Sequence, residues 1–424
     1  MGRVTRRAFA GVMLAGLTAA GGAAAWGATT GDETDEKDGA RRRAGFGELR
    51  GMWLSTVTNR DWPSKTGLTA AEQRSELLEH LDTAVRRRLN AVIFQVRPTA
   101  DALWPSPYEP WSQYLTGVQG EDPGWDPLGT AVEEAHARGL ELHAWFNPYR
   151  IANHADPTKL VASHPAREHP DWVVPYGGKL YYNPGLPEVR AFVQDAMLDA
   201  VKKYAVDAVH WDDYFYPYPV EGAVFDDDAA YEQYGADFED RAAWRRDNID
   251  KLVRETAARV KKIRPGTQFG ISPFGVWRNA ATDSLGSDTQ AGVQTYDDLH
   301  ADTRKWVREG WIDYICPQLY WSAHPLDQQV PANYAVLLPW WAEVARGSGT
   351  RLYIGEALYK AGDPAQPEAW QDPAELSRHL TLAKEHPEAR GHVFFAAREV
   401  REDKIGAMAR VVADHYQRPA RTPR

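Results

Sequence analysis

The residues best suited to chemistry lie in one short stretch, His210-Trp211-Asp212-Asp213-Tyr214-Phe215-Tyr216-Pro217, where an apolar run ends in two adjacent carboxylates. A carboxylate placed directly after a buried segment is partly desolvated yet within reach of a bound molecule. Hydrolysis of a glycosidic bond asks for two such groups, one protonated to help the leaving oxygen depart and one ionised to attack the sugar or activate water. Adjacent acids supply both states, because each charge pushes its neighbour's pKa upward. The alternative is a structural role, with one aspartate capping the loop or holding Arg97 or Arg150 in an ion pair. A third acid, Glu356, ends the run Tyr353-Ile354-Gly355-Glu356 and is a candidate nucleophile.

Other polar and aromatic residues gather at the ends of similar runs. Strand side chains alternate between two faces, so the parity of the apolar residues identifies the outward face and leaves the other pointing inward. Val92, Phe94 and Val96 outward leave Gln95 and Arg97 inward; Leu142, Ala144 and Phe146 outward leave His143, Trp145 and Asn147 inward. Val209 and Trp211 outward leave His210 and Asp212 inward, and Phe269 and Ile271 leave Ser272 at the top of its run. With Arg97, Asp101 and Arg150 from neighbouring loops, Tyr214, Trp277, and Gln318, Tyr320 and Trp321 from Pro317-Gln318-Leu319-Tyr320-Trp321, this set makes a candidate sugar site. Sugar rings stack on aromatic faces and hydrogen-bond to amides, imidazoles and hydroxyls, although the same aromatics also serve as lid packing. His143, His210 and the aspartates invite a metal reading. No His-Xaa-His pair and no His-Glu-Xaa-Xaa-His supports it, and the expectation is that no metal or cofactor takes part.

Such a site needs elements that bring distant segments to one place. From Glu48 onward a β-rich run, a loop and an amphipathic helical segment recur in eight units, the runs being 49–56, 91–96, 140–147, 206–211, 268–272, 312–316, 352–355 and 392–396. Thr69 with Glu72 forms a capping box, and Asp126-Pro127, Leu186-Pro187 and Asp372-Pro373 read as helix starts. Val189, Phe192, Val193, Met197, Ala200, Val201 and Tyr204 recur along one helical face, which must pack on a sheet. Eight alternating units predict an α/β fold, a closed (β/α)8 TIM barrel over residues 45–416, followed by a tail at 417–424. An open nucleotide-binding sheet is the alternative, but no Gly-rich phosphate loop follows any run.

Composition narrows the partners. The 424 residues carry a formal charge of -10 without a basic cluster in the barrel region, which argues against nucleic acid and anionic membranes. Seventeen Trp and nineteen Tyr suit a polysaccharide or oligosaccharide substrate as well as a core. The single cysteine, Cys316, excludes an intramolecular disulfide and sits in an apolar run where it packs. At the N-terminus, Thr5-Arg6-Arg7-Ala8-Phe9 precedes a small-residue apolar stretch, which reads as a twin-arginine signal peptide over residues 1–30, with a solvated linker at 31–44. The expected location is outside the cytoplasm, secreted or at the cell envelope, with no membrane anchor after cleavage. The oligomeric state is not legible.

Several segments together carry a family resemblance: Glu48-Leu49-Arg50-Gly51-Met52-Trp53-Leu54, Phe94-Gln95-Val96-Arg97-Pro98, Ala144-Trp145-Phe146-Asn147-Pro148-Tyr149-Arg150, the Asp212-Asp213 segment, Ile271-Ser272-Pro273-Phe274-Gly275-Val276-Trp277-Arg278 and Cys316-Pro317-Gln318-Leu319-Tyr320-Trp321. In these the chain resembles the glycosyl-hydrolase-like 10 family of exported bacterial proteins over almost the whole of its length after the linker. The resemblance implies a barrel and action on a bacterial glycan such as the sugar strands of peptidoglycan, and it supports Asn147, Asp212-Asp213, Ser272 and Gln318 as site lining. It gives Glu356 little support and does not divide roles between the aspartates. A non-catalytic glycan-binding barrel and a metal-dependent glycan deacetylase are the competing classes.

Overall fold

The computed structural model describes residues 47–324 and 332–421. The expected signal peptide and linker lie outside the described residues. In chain order the strands are β1 (Leu49–Leu54), β2 (Ala91–Arg97), β3 (Glu141–Phe146), β4 (Arg150–Ala152), β5 (Val173–Tyr176), β6 (Lys179–Tyr182), β7 (Ala208–Trp211), β8 (Gln268–Ile271), β9 (Tyr314–Ile315), β10 (Arg351–Glu356) and β11 (Ala389–Phe394). Eight of them pair in parallel and close in the order β1-β2-β3-β7-β8-β9-β10-β11, with β11 returning to β1. The main helices are α1 (Ala70–Arg86), α2 (Pro127–Ala137), α3 (Pro187–Lys203), α4 (Arg241–Ile263), α5 (Thr303–Arg308), α6 (Tyr334–Ala345), α7 (Glu375–Ala383), α8 (Ala397–Glu402) and α9 (Ala407–His415). The fold is a (β/α)8 barrel.

The local signals explain where helices start. Thr69 Oγ1 accepts from Glu72 N at 3.2 Å while Glu72 accepts from Thr69 N at 2.8 Å, closing the capping box at the start of α1. Asp126 caps α2 through Gly129 N at 2.9 Å. Before α7 the helix begins later than Asp372-Pro373 suggests, because Asp372 accepts from Ala374 N and Arg378 in a turn of its own. A further difference follows β3: β4, β5 and β6 form an antiparallel sheet in the order β4-β6-β5 where the sequence reading has only a loop.

Two apolar layers hold the barrel. Outside it, Val92, Phe94, Leu142, Phe146, Val209, Trp211, Phe269, Ile271 and Ile354 pack against the helices. Inside lie Leu49, Trp53, Ile93, Trp145, Tyr314, Cys316, Tyr353 and Val393. Tyr314 reaches so far across that a Cβ at Gly270 would lie 2.1 Å from its ring, so only glycine fits at that point of β8. Gln417 and Arg418, in the expected tail, lie against the barrel and accept hydrogen bonds from Arg88 and Arg50.

Candidate active site

Asp212 and Asp213 follow β7 at the C-terminal end of the barrel, the end where such folds carry their chemistry. Both are buried, 5% and 7% exposed, and neither has a basic group within 4 Å among the described residues. The structural alternative, an ion pair with Arg97 or Arg150, is therefore not what the geometry shows. Their surroundings are instead built from neutral donors.

Asp212 sits at the end of a hydrogen-bond chain whose direction can be deduced. Thr56 N and Val57 N, just after β1, both donate to Gln95 Oε1 at 2.9 Å. Backbone N–H groups only donate, so that atom of Gln95 must be the carbonyl oxygen, and its amide nitrogen must point the other way. Gln95 Nε2 donates to Asn147 Oδ1 at 2.7 Å, which turns the Asn147 amino group onto Asp212, 2.7 and 2.6 Å from its two oxygens. Three successive barrel strands thereby present a fixed donor to Asp212. Asp213 accepts from the Tyr218 hydroxyl, and the Gln318 amide also reaches it.

Burial pushes the Asp212 carboxyl up, the neighbouring charge of Asp213 adds to this, and Arg150 and Asn147 oppose it. Asp213 is raised as well, by burial, against the pull of Tyr218, Gln318 and Arg150. Two desolvated carboxyls side by side cannot both ionise cheaply, so the pair retains a proton to higher pH than either would alone.

Beneath the pair a second chain crosses the barrel interior. Trp53 Nε1 donates to His210 Nε2 at 3.1 Å, which makes that nitrogen the acceptor and puts the imidazole proton on Nδ1, 2.8 Å from Tyr314 Oη. Tyr314 can then donate to His143 Nδ1 at 3.0 Å, and His143 Nε2 to Glu141 at 3.1 Å. Ser272 Oγ lies 2.9 Å from His210 Nε2. Burial holds His210 well below the ordinary histidine range, in keeping with a neutral ring whose nitrogens are both engaged. His143 and His210 thus support the floor from within the barrel; His143 is too deep to meet a ligand, and neither offers a nitrogen to a metal.

The predicted site residues divide accordingly. Asp212, Asp213, Asn147, Arg150, Tyr214, Ser272, Gln318, Tyr320 and Trp321 gather at the mouth. Trp145 and His210 lie just below, and Trp145 is only 5% exposed, so little of its ring is open for stacking. The remaining positions need correction. Arg97 is fully buried and forks onto Glu109 at 2.6 and 2.5 Å, because the β2–β3 register shifts between Gln95 and Arg97 and turns it into the loop. Asp101, also fully buried, accepts from Thr99 N at 2.9 Å and stabilises its own loop. Trp277 donates to Asp302 at 2.9 Å and stacks on Trp340 at the periphery. Glu356 shares the outward parity of Leu352 and Ile354 and lies between barrel and helices, 2.8 Å from His379, 2.9 Å from His392 and 3.1 Å from Tyr334. It is a structural carboxylate.

Sequence reasoning assigned no role to Gln95, although its inward parity was legible, and missed Tyr218, Phe274, Tyr359 and Phe395. The last four belong to two aromatic rows at the mouth: Tyr214, Tyr218, Phe274 and Trp321 with successive centroids 5.7, 6.2 and 5.4 Å apart, and Tyr359, Tyr320 and Phe395 at 5.8 and 6.3 Å. Apart from their aromatic character, no periodic signal marks loop positions of this kind.

The model of the family described as glycosyl hydrolase-like 10 matches residues 48–372. The chain is 50% identical over 378 residues to "Glycosyl hydrolase YngK" of Bacillus subtilis, covering 89% of this chain and 73% of that protein. It is 41% identical over 367 residues to "Glycosyl hydrolase DigH" of Escherichia coli, covering 82% of each. In fold it is similar to the PgaB (BpsB) glycoside hydrolase domain from Bordetella bronchiseptica, with TM-score 0.52 and 11% identity over 87% of this chain and 99% of that one. The catalytic domain of β-amylase from Paenibacillus polymyxa has TM-score 0.51 and 10% identity, over 87% of this chain and 97% of that one.

Proposed function

The chain belongs to the glycosyl hydrolase-like 10 family, and from that premise we propose that it hydrolyses glycosidic bonds in a bacterial polysaccharide, the sugar strands of peptidoglycan, with Asp212 and Asp213 as its working carboxyls. The observation that carries this reading is the buried carboxyl pair at the C-terminal end of β7, with no ion pair within 4 Å among the described residues and a dedicated donor on each member. The pair shares one proton, and in the arrangement that reacts it sits on Asp213, which delivers it to the departing glycosidic oxygen. With Asp213 neutral the like charge that raises Asp212 is gone, and Asp212, with both oxygens facing the Asn147 amide, is ionised to stabilise or attack the developing positive centre of the sugar, to which water then adds to complete hydrolysis. The aromatic rows supply stacking surfaces at the mouth.

Export by the twin-arginine route belongs to the same reading, on the evidence of Arg6 and Arg7 and the apolar stretch after them. The direct test is to incubate the protein with whole peptidoglycan, peptide-stripped glycan strands and chitin-type oligomers and to identify released species by mass spectrometry. Cleavage that falls by roughly two to four decades in Asp212→Asn and Asp213→Asn, with folding and glycan binding kept, is the expected result. Undiminished turnover in both variants would place the chemistry elsewhere in the mouth.

A further inference from the structure

The small β4-β6-β5 sheet brings two cations together, and one of them, Arg150, lies within electrostatic reach of the carboxyl pair. Arg150 of β4 is the register partner of Tyr181 of β6, and Lys179 lies two residues before Tyr181 on the same strand. Side chains two apart on a strand share a face, so Arg150, Tyr181 and Lys179 stand on the same side of the sheet. Arg150 is fixed in place: Nε and Nη2 donate to the Pro98 carbonyl at 3.2 and 3.0 Å, and its guanidinium carbon lies 4.8 Å over the Tyr214 ring. A guanidinium carries five N–H donors. Three of the five on Arg150 meet no protein acceptor among the described residues, and neither Arg150 nor Lys179 has a carboxylate within 4 Å there.

The charge count is uneven on this side of the mouth. Asp212 and Asp213 both feel Arg150 through space, but the pair holds a proton, so Arg150 meets about one negative charge there while Lys179 adds a second positive charge on its other side. Lys179 is held below the ordinary lysine range, by partial burial and then by repulsion from Arg150, which is the penalty of leaving the two cations uncompensated. An oriented guanidinium edge with spare donors next to an ammonium suits a planar, two-oxygen anion better than a neutral hydroxyl.

We propose that Arg150 and Lys179 form a subsite for a carboxylate carried on the substrate's sugar, next to the scissile bond, so that the enzyme selects an acidic glycan over a neutral one. This rests on the glycan-cleavage reading above. A carboxylate of this kind comes from a lactyl ether, as in peptide-free peptidoglycan strands, or from a uronic acid. Seated there, it also offsets the pull of Arg150 on Asp212 and Asp213, so the pair keeps its proton more tightly in the complex than in the free protein.

The test uses matched oligosaccharides with the carboxylate free or methyl-esterified, one pair from peptide-free peptidoglycan strands and one pair of oligouronates. Binding is measured by calorimetry on the full chain carrying Asp212→Asn, and kcat/KM on the otherwise unaltered protein. The free acid of at least one pair is expected to bind about tenfold more tightly than its ester, with the preference shrinking as salt rises. Whichever pair shows it names the source of the carboxylate. Lys179→Gln should cut the acid-to-ester ratio to about threefold, Lys179→Arg should keep it, and Arg150→Gln combined with Lys179→Gln should bring it to about one. Equal binding of acid and ester in both pairs, or a preference that survives in the double variant, overturns the subsite. If acids are preferred in binding but no oligomer is cut, the subsite stands and the hydrolase reading falls; if acid and ester are bound and cut alike, the reverse holds.

Discussion

Replacing Asn147 by Leu tests whether the chain from Gln95 controls the chemistry. Leucine has the same branched heavy-atom skeleton as asparagine, with bulkier methyl ends, so the change removes the donor without opening a cavity. Asp212 then loses both contacts, at 2.7 and 2.6 Å, that favour its ionised form. Hydrogen bonds to a charged group contribute roughly 1.5–3 kcal/mol, and the two share one amino group, so the loss is about 2 to 3 kcal/mol rather than twice that. At about 1.4 kcal/mol per pKa unit, Asp212, already pushed up to about 7, rises by roughly 1.5 to 2 units further. The donors stabilise the carboxylate, so removing them moves the titration upward and never downward. On the assigned roles, kcat/KM near neutral pH falls about 15- to 50-fold, and the acid limb of its pH profile shifts upward by the same 1.5 to 2 units, recovering part of the activity at high pH. Release of reducing ends across the pH range reads both quantities, while thermal melting checks the fold. Gln95→Leu should shift the limb in the same direction, and the double variant should be no worse than Asn147→Leu alone, since Gln95 acts through Asn147. An unmoved acid limb, or a loss below threefold in a cooperatively folded Asn147→Leu protein, would refute the reasoning.

Asp212→Asn should stabilise the protein in a pH-dependent way. The folded carboxyl titrates near 7 and the unfolded one near 4, so between these values the native state binds more protons and stability falls as pH rises. The variant escapes that fall, and chemical denaturation should show a gain on the order of 2 kcal/mol above about pH 7 and little near pH 4. Glu356→Gln should act in the opposite sense on stability. Burial opposes both charges, but Glu356 is held below the usual carboxylate range by His379 and His392, and His379 is raised by Glu356 and Glu375. The stability from Glu356 is present above its unfolded pKa and lost as pH falls, and that from His379 is present below its unfolded pKa and lost as pH rises. Denaturation between about pH 5 and 6 should therefore show the full cost, about 3–5 kcal/mol for breaking a buried pair, with the shape of the pH–activity profile retained. Finally, Arg6→Lys with Arg7→Lys should retain the protein in the cytoplasm, and normal secretion in a fractionation assay would remove the twin-arginine assignment.

The eight strands, their inward parity and the place of Asp212-Asp213 at a strand end were all legible in the sequence. They follow from local rules: alternation is a property of extended backbone, and caps such as Thr69 with Glu72 act over one helical turn. Parity also contained the answer for Glu356, since Leu352 and Ile354 face outward and a residue in step with them must follow. Arg97 was different, because the register shift after Gln95 depends on how β2 pairs with β3, which the run of residues in either strand does not specify. The polarity of the Gln95–Asn147–Asp212 chain, the donation of Tyr218 to Asp213 and the convergence of Arg150 with Lys179 were decided only by tertiary structure. Each depends on residues distant in the chain or on a sheet without an alternating apolar pattern, and the closure of the barrel is what places them within hydrogen-bonding and electrostatic reach.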